Sequence, residues 1–561
     1  VAEDVKKYIQ RWGALQQERS TWISHWQEIS AFLMPRNGRY FVSDRNRGWR
    51  RNNNIYDSTA TRALNVLAAG MMGGMTSPAR PWFRLSIPDQ QLADHGPVKQ
   101  WLSDCTKLML WIFSDSNTYR FLHSQYRELG GFGTGGTILL DDYEDVINGY
   151  PLTTGEFCIS QDYRGKVGTV YREFEKTVAQ VVGEFGKDKC SVAVKRMYDS
   201  GNLDAWVPII HAIEPRKDRD PNMRDAKNMA YASIQFERTS DGQLLRESGF
   251  EEFPGLISRW DVVGGDIYGH SPGMEALGDI KQLQHQQLRK AQVIDLQTKP
   301  PLQMPTSMKG RDIDTAPGGM SYIDRTSQGG GISTAFDVQL DLNALLADIQ
   351  DVRQRIQASF FSDLFLMLAN AQDTRMTATE VAERHEEKML MLGPVIERLH
   401  DELLSPLIES TFVRMLKANI VPKPPQELQG MELKVEFVSM LAQAQRAIGT
   451  NSVDRFVGNI GQIAQFKPEV LDKFDSDEWA DIYGDAIGVD PRMIVPSDKV
   501  AIIRQQRAQQ QQQQAQLAAA EQASSAAANA AKVPTQGGAS NAASDILNQY
   551  SGYNAPQAGA P

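Results

Sequence analysis

The first apolar rhythm of the chain runs in three- and four-residue steps. Trp12, Leu15, Trp22, Trp26, Ile29 and Leu33, with Arg19 in the same register, predict a helix over residues 5–34 that Pro35 ends. A basic, Asn-rich loop follows, with Arg45, Arg47, Arg50, Arg51 and Asn52 to Asn54. Asp57 or Ser58 then caps a second helix through Leu64 and Leu67, and Pro78 and Pro81 stop it. Trp82 to Ile87 alternates as a strand, and residues 97–129 are helical with a break at 114–117. From residue 137 to 254 the texture becomes short, β-branched and punctuated by Gly, Asp and Pro. Strands are expected at 137–140, 158–161, 192–197, 206–212 and 231–236.

The centre carries a different pattern. Residues 273–297 form a helix with a narrow apolar stripe of Leu277, Ile280, Leu283, Leu288, Ala291 and Ile294. The rest of its surface is rich in glutamine: Gln282, Gln284, Gln286, Gln287, Gln292 and Gln297. Such a helix is either solvated or packed against copies of itself. Pro300 and Pro301 break it, and a Gly/Pro/Ser/Thr-rich interval leads to a second helix over 342–360 through Leu345, Leu346, Ile349, Val352 and Ile356. The two make a hairpin with an elaborated tip. A third long helix starts at Thr377–Glu380, which has the capping-box pattern, and kinks are expected near Pro394 and Pro406. Residues 438–488 read as further helix. From Ser497 a helix extends into a Gln/Ala-rich zone that includes the pure run Gln509 to Gln514, and residues 532–561 are expected to be disordered.

Composition narrows the class. The 561 residues are 41% hydrophobic and 23% charged, enough for several domains with ample core and far from a disordered or membrane chain. The net charge of −10 argues against a chain that grips nucleic acid over its whole surface, because such binding needs many cations to displace phosphate counterions. Cys105, Cys158 and Cys190 have neither pairing nor metal spacing, which fits a reducing compartment. Glu3, Asp4, Lys6 and Lys7 leave no expectation of a signal peptide. The longest uncharged run, between Arg62 and Arg80, is too short and interrupted for a bilayer helix, and the Gly70–Gly74 pair in it points to close packing of soluble helices.

Three local matches to enzyme motifs fail on physical grounds. Gly131 to Gly136 satisfies GxGxxG, but a helix precedes it and a strand follows, the reverse of a dinucleotide site. Gly269 to Gly273 satisfies GxSxG. There the residue after the serine must donate its N–H to an oxyanion hole, and Pro272 has none, so Ser271 reads as a helix cap with Pro272 at the first helical position. His385 lacks the second histidine of HExxH, no two of the eight histidines lie within five residues, and no GxxxxGK[ST] is present. No cofactor is expected.

The remaining segments carry a resemblance. WQEISAFLMPRNGR (26–39), IYDSTATRALNVLAAGMMGGMTSPARPWFRL (55–85), HAIEPR (211–216), GFEEFPGLISRW (249–260), YGHSPGMEALGD (268–279), RMTATEVAER (375–384) and LMLGPVIERLHDELL (390–404) occur in this order. Collinear over roughly residues 8–500, they resemble the head-to-tail connecting, or portal, proteins of short-tailed bacteriophages. The Gln/Ala tail matches no family pattern.

The resemblance implies a mainly α fold with a mixed α+β wing region, in the elongated phage portal architecture of wing, stem, clip, crown and a C-terminal helical barrel. On this chain it implies a wing over 1–272, stem helices at 273–298 and 340–360, and a clip at 299–339. A tunnel loop at 361–376, a long kinked helix at 377–421, a crown at 422–496 and a barrel helix at 497–531 follow. It implies a homo-dodecamer at one capsid vertex of the virion, assembled in the host cytoplasm, with no membrane. Double-stranded DNA passes through the channel, and the partners are the terminase large subunit, major capsid and scaffolding proteins, and tail adaptor proteins. Lys281, Arg289, Lys290, Arg353, Arg355 and Arg375 are the candidates to face channel DNA, with ion pairs between subunits as their competing use. Lys309, Arg311, Asp312 and Asp314 are the candidate clip contacts to terminase or tail adaptor. The acidic balance fits passage of DNA, since like charge repels the duplex only within a Debye length of about 8 Å. A tail adaptor or internal core protein is the alternative.

Overall fold

A computed structural model describes residues 2–41, 43, 48, 51, 53–89, 92, 95–223, 225–238, 243–303, 333–334, 342–370, 391–428, 433–438, 456–464, 466–480, 495 and 497–530. Helices α1 (Ala2–Phe32), α2 (Thr59–Met75), α3 (Gly96–Asp115) and α4 (Thr118–Phe132) precede the β-rich region, with β1 (Phe83–Ser86) between α2 and α3. The sequence rhythm located the four helices and β1. The break between α3 and α4 falls where Ser116 and Thr118 bond each other through their hydroxyls.

The β-rich region forms two antiparallel sheets. Strands β2 (Thr134–Asp142), β3 (Val146–Leu152) and β9 (Gly255–Arg259) pair in the order β3-β2-β9. Strands β4 (Phe157–Gln161), β5 (Val167–Thr177), β6 (Trp206–Pro215), β7 (Tyr231–Glu237) and β8 (Leu244–Phe250) pair consecutively. Alternation along β6 sets its two faces. Val207 and Ile209 pack with α5 (Val178–Phe185) and α6 (Val192–Asp199), while Ile210 and Ala212 meet Val5, Trp12 and Leu15 of α1 on the other side. Residues 192–197, expected as a strand, are therefore helix. The Ser191 hydroxyl accepts from the Val194 N–H at 3.3 Å, and this cap with the packing of Val194 overrides the β-branched composition.

The largest core gathers the second half of α1, α2, α3, α4, the three-stranded sheet and the bases of the central helices. The two failed enzyme motifs meet inside it. Gly133 sits at φ +79° at the end of α4, and a Cβ there would lie 2.2 Å from the Gly269 carbonyl oxygen. The Gly269 N–H donates to the Thr134 hydroxyl at 2.8 Å, and the Ser271 hydroxyl donates to the Gly131 carbonyl at 2.8 Å. Ser271 also accepts the Met274 N–H, capping α7 (Pro272–Glu275) with Pro272 at its start. The glycines let two backbones cross in contact, which is a structural use.

After α7 come α8 (Leu277–Thr298), the two-residue pair β10 (Leu302–Gln303) and β11 (Ser333–Thr334), and α9 (Leu342–Ser359). Next is α10 (Ser362–Asn370), so the first part of the interval read as a tunnel loop is helical; residues 371–376 lie outside the described residues. Leu364 and Phe365 are buried there, and the Phe365 ring lies on Gly70 of α2. The capping box at Thr377 also lies outside the described residues. Helix α11 (391–399) continues through a π turn at His400–Leu404 into α12 (Ser405–Lys417), with the irregularity just before Pro406. Strand β12 (Lys434–Phe437) returns to pair with β1, and α13 (Ser497–Ala530) runs through the glutamine tract. No helix among the described residues is long and apolar enough to cross a membrane.

Gly70 offers a clean test. A methyl there would meet the Phe365 ring at 2.2 Å, whereas Gly73, one turn on and exposed, has nothing within 4 Å. Gly70→Ala should lower stability by about 1–3 kcal/mol through overpacking. Gly73→Ala should be neutral or stabilising by roughly 0.5–1 kcal/mol, because alanine is the better helix former. Denaturant midpoints of the two variants check the contrast.

Candidate functional site

Among the described residues no cluster of histidine, cysteine and carboxylate side chains could hold a metal. What the central sequence builds is a helical hairpin. Helices α8 and α9 lie side by side, with Arg355 on Asp279 at 2.9 Å near the base and Gln286 bonded to Asp348 further along. The lower half is core: Leu277, Ile280, Leu283, Ile349, Val352 and Ile356 are buried. The distal half is not. Ile294 is 42% exposed and Leu346 45% exposed, so the apolar stripe continues past the point where the described residues cover it. The antiparallel pair β10–β11 closes the hairpin beyond that half.

One carboxylate anchors the hairpin. Asp57, just before α2, accepts from the Thr59 N–H at 2.9 Å and hydroxyl at 2.6 Å through Oδ1. Its Oδ2 accepts from Gln287 of α8 at 3.0 Å and from the Arg353 guanidinium of α9 at 3.1 and 2.7 Å. Gln284 completes the joint: its Oε1 accepts the Tyr56 and Asp57 N–H groups at 2.6 and 2.8 Å, and its Nε2 donates to the Asp57 carbonyl at 2.9 Å. Burial pushes the Asp57 carboxyl up. The bonds from Thr59 and Arg353 outweigh it and hold the group below the usual aspartate value. A water-accessible cleft of about 370 Å³ lies beside the joint, lined by Ser58, Arg62, Gln350, Arg353 and Gln357.

The residues singled out from sequence divide accordingly. Arg353 is in the anchor, and Arg355 pairs with Asp279 and with Asp351 at 3.2 Å. Lys281 reaches Glu28 of α1 at 2.7 Å and lies over the Phe32 ring. Arg289 bonds His285 and Gln292 on its own helix. Lys290 is partly exposed on the distal half of α8. Arg375, Lys309, Arg311, Asp312 and Asp314 lie outside the described residues. Three of the five stem cations are thus matched with acids of their own chain. Sequence reasoning missed Gln284 and Gln287 as anchors and read Asp57 only as a cap. The signal available was the placement of Gln284 directly beside Leu283 of the apolar stripe.

A second buried carboxylate, Glu128 of α4, receives Asn37 Nδ2 at 2.8 Å, the Thr153 hydroxyl at 2.9 Å, and the Thr154 N–H and hydroxyl at 3.1 and 3.0 Å. Burial raises its pKa, and these four donors oppose that shift. It ties the end of α1 and the β3–β4 turn to α4.

Among the described residues the central region is thus a helical hairpin anchored by structural polar joints, with a distal half that these residues leave partly exposed. Comparison with known proteins gives the particular family. Residues 5–495 match the family described as bacteriophage head to tail connecting protein. The chain is 61% identical over 549 residues to the probable portal protein of Bordetella phage BPP-1, covering 98% of this chain and 99% of that one. It is 46% identical over 503 residues to the portal protein of Salmonella phage epsilon15, covering 89% and 90%. A chain from the virion of a native gene transfer agent particle aligns over 82% of this chain and 98% of its own, at 11% identity and a TM-score of 0.32. The chain therefore belongs to the bacteriophage head-to-tail connecting, or portal, protein family.

Removing the anchor should loosen the hairpin. Arg353 is partly exposed, so the ion pair is screened and the loss comes largely from orphaned donors. Asp57→Ala is expected to cost about 2 kcal/mol at pH 7. Because the folded pKa of Asp57 is depressed, its ionisation contributes stability fully above the unfolded value of about 3.9 and loses it as pH falls through the folded value. The stability gap between wild type and Asp57→Ala should accordingly shrink in acid, which thermal melts across pH 2–7 would read.

Proposed function

We propose that copies of this chain close into a dodecameric ring at one capsid vertex. Through that ring DNA is packaged by a terminase and later leaves, and on it the tail docks. The chain is a structural subunit with no catalytic role, and it acts as part of the virion at the head–tail junction. Membership of the portal family supports this reading, and one observation in the fold carries it: the hairpin stripe runs on through Leu288, Ile294 and Leu346, where the described residues leave it partly exposed. In a ring that stripe meets the neighbouring subunit.

On this reading α8 and α9 are the stem, 299–339 the clip, 361–376 the tunnel region, 377–421 the long helix behind it, and 422–496 the crown. Arg289 and Lys290 on the distal stem are better placed to meet DNA or a neighbour than Lys281, Arg353 and Arg355, whose charges are engaged within the chain. Arg375 is the channel candidate beyond the stem, and Lys309, Arg311, Asp312 and Asp314 the clip contacts to terminase or tail adaptor. Major capsid and scaffolding proteins meet the outer wing. Helix α13 is exposed over most of its length among the described residues, which leaves its surface available for a C-terminal barrel.

Negative-stain microscopy with native mass tests the ring. Closed rings of about twelve subunits with a central channel are expected. Leu346→Glu should yield folded subunits that no longer close rings. Leu346→Glu rings indistinguishable from wild type would remove the stem stripe from the assembly interface.

A further inference from the structure

The π turn His400–Leu404 interrupts one long helix, and its burial pattern explains the extra residue. Leu399, Leu403, Leu407, Thr411 and Met415 are all fully buried and spaced by four. In a straight α-helix a step of four overshoots one turn by about 40°. Four such steps would carry the stripe roughly 160° around the cylinder, out of the core. A turn closing i→i+5 holds one more residue and gives back about 100°. Pro406 suits the place. It has no N–H, so the Glu402 carbonyl already lacks its α-helical donor.

Three successive side chains of the turn reach three different elements. The His400 ring stacks on Phe437 of β12, with centroids 3.9 Å apart and planes within 3°. Asp401 pairs with Lys166 of the β4–β5 hairpin at 3.2 Å, largely in solvent. Glu402 accepts the Arg259 backbone N–H at 2.9 Å and its guanidinium at 2.5 Å. Arg259, on β9, is 4% exposed and also donates to the Gly165 carbonyl at 2.8 Å and to Gln161 Oε1 at 3.1 Å. Strand β12, the element joined to this turn through His400, is otherwise paired with β1.

We propose that His400–Leu404 is a latched register joint, with the Arg259–Glu402 pair as its latch. Latched, the surplus residue stays in the turn and α11 keeps Leu392, Val395 and Ile396 in the core. Released, the turn closes to α-helix and α11 rotates by about one residue, roughly 100° and 1.5 Å, against α12. That rotation exposes apolar side chains, so the released state is populated only under load. The load reaches the joint from β12 through His400, and α11 carries the rotation. The joint's geometry stands by itself; its use, coupling the crown side to the tunnel region, rests on the portal reading.

Hydrogen exchange on the full-length chain tests it, with microscopy of the same samples reporting the ring separately. Glu402→Gln should speed exchange of amides 391–399 by roughly tenfold or more while 405–417 keeps its protection. Deleting Asp401, the exposed residue of the turn, should leave a folded chain with slow exchange through 391–417, because a plain α-turn then serves the same stripe. Equal acceleration on both sides in Glu402→Gln, or an unfolded chain on deletion, would reduce the π turn to fixed packing. Wild-type samples without rings would count against the portal reading and leave the exchange result intact.

Discussion

Three helices from distant parts of the chain converge on the carboxylate of Asp57, and the placement of the hairpin depends on that convergence. The carboxylate satisfies the start of α2, a glutamine of α8 and an arginine of α9 at once. A buried carboxylate with so many donors is poorly replaced by a neutral group, because each orphaned donor then costs its own desolvation. The consequence is orientation. With the hairpin base fixed to α2, and α2 fixed to α10 by the close approach at Gly70, the distal half has one direction in which to project.

The three cores divide the mechanical roles. The main core unites the helices with the small sheet, while the two lesser cores clothe the five-stranded sheet with α1 on one face and α5 and α6 on the other. Helix α1 belongs to two of them, so one 31-residue rod joins the β-rich region to the helical body. Its Trp12 stacks on Tyr171 of the larger sheet, and its Trp26 packs edge-on against Tyr268 near the crossing of the two glycine segments.

Local signals made much of this legible. Apolar rhythm located α1 to α4 and the hairpin; the Ser271–Pro272 cap followed from the absent N–H of proline; alternation located β1, β2, β4, β6 and β7. What escaped was set by distant partners. Gln284 looks like any other glutamine of a polar helix until Asp57, 227 positions away, is brought beside it. Glu402 looks like a surface acid until Arg259, 143 positions away, buries it. Val192 to Met197 has strand composition, yet a serine cap and one buried valine make it helix. Pro406 announced an irregularity, but only the four-residue spacing of the buried stripe, read together with the fold, identifies it as a π turn. The candidate DNA-facing cations show the same limit: sequence gives their charge, and only tertiary structure reveals that Lys281, Arg353 and Arg355 already have acids of their own.

The contact between Gly133 and Gly269 has a consequence for how such a chain changes over generations. Everything from residue 134 to 268 departs from and returns to nearly one point, since the two glycine backbones touch. A segment whose ends coincide behaves like a bead threaded on a closed loop of string. The tips of its hairpins can lengthen or shorten without altering the distance its flanks must span, while β2, β9 and the inner faces of both sheets stay tied to the main core, to α1 and to Glu402. Length changes at those tips are thereby separated from the placement of the helical hairpin, and two residues without side chains mark where the segment opens and closes.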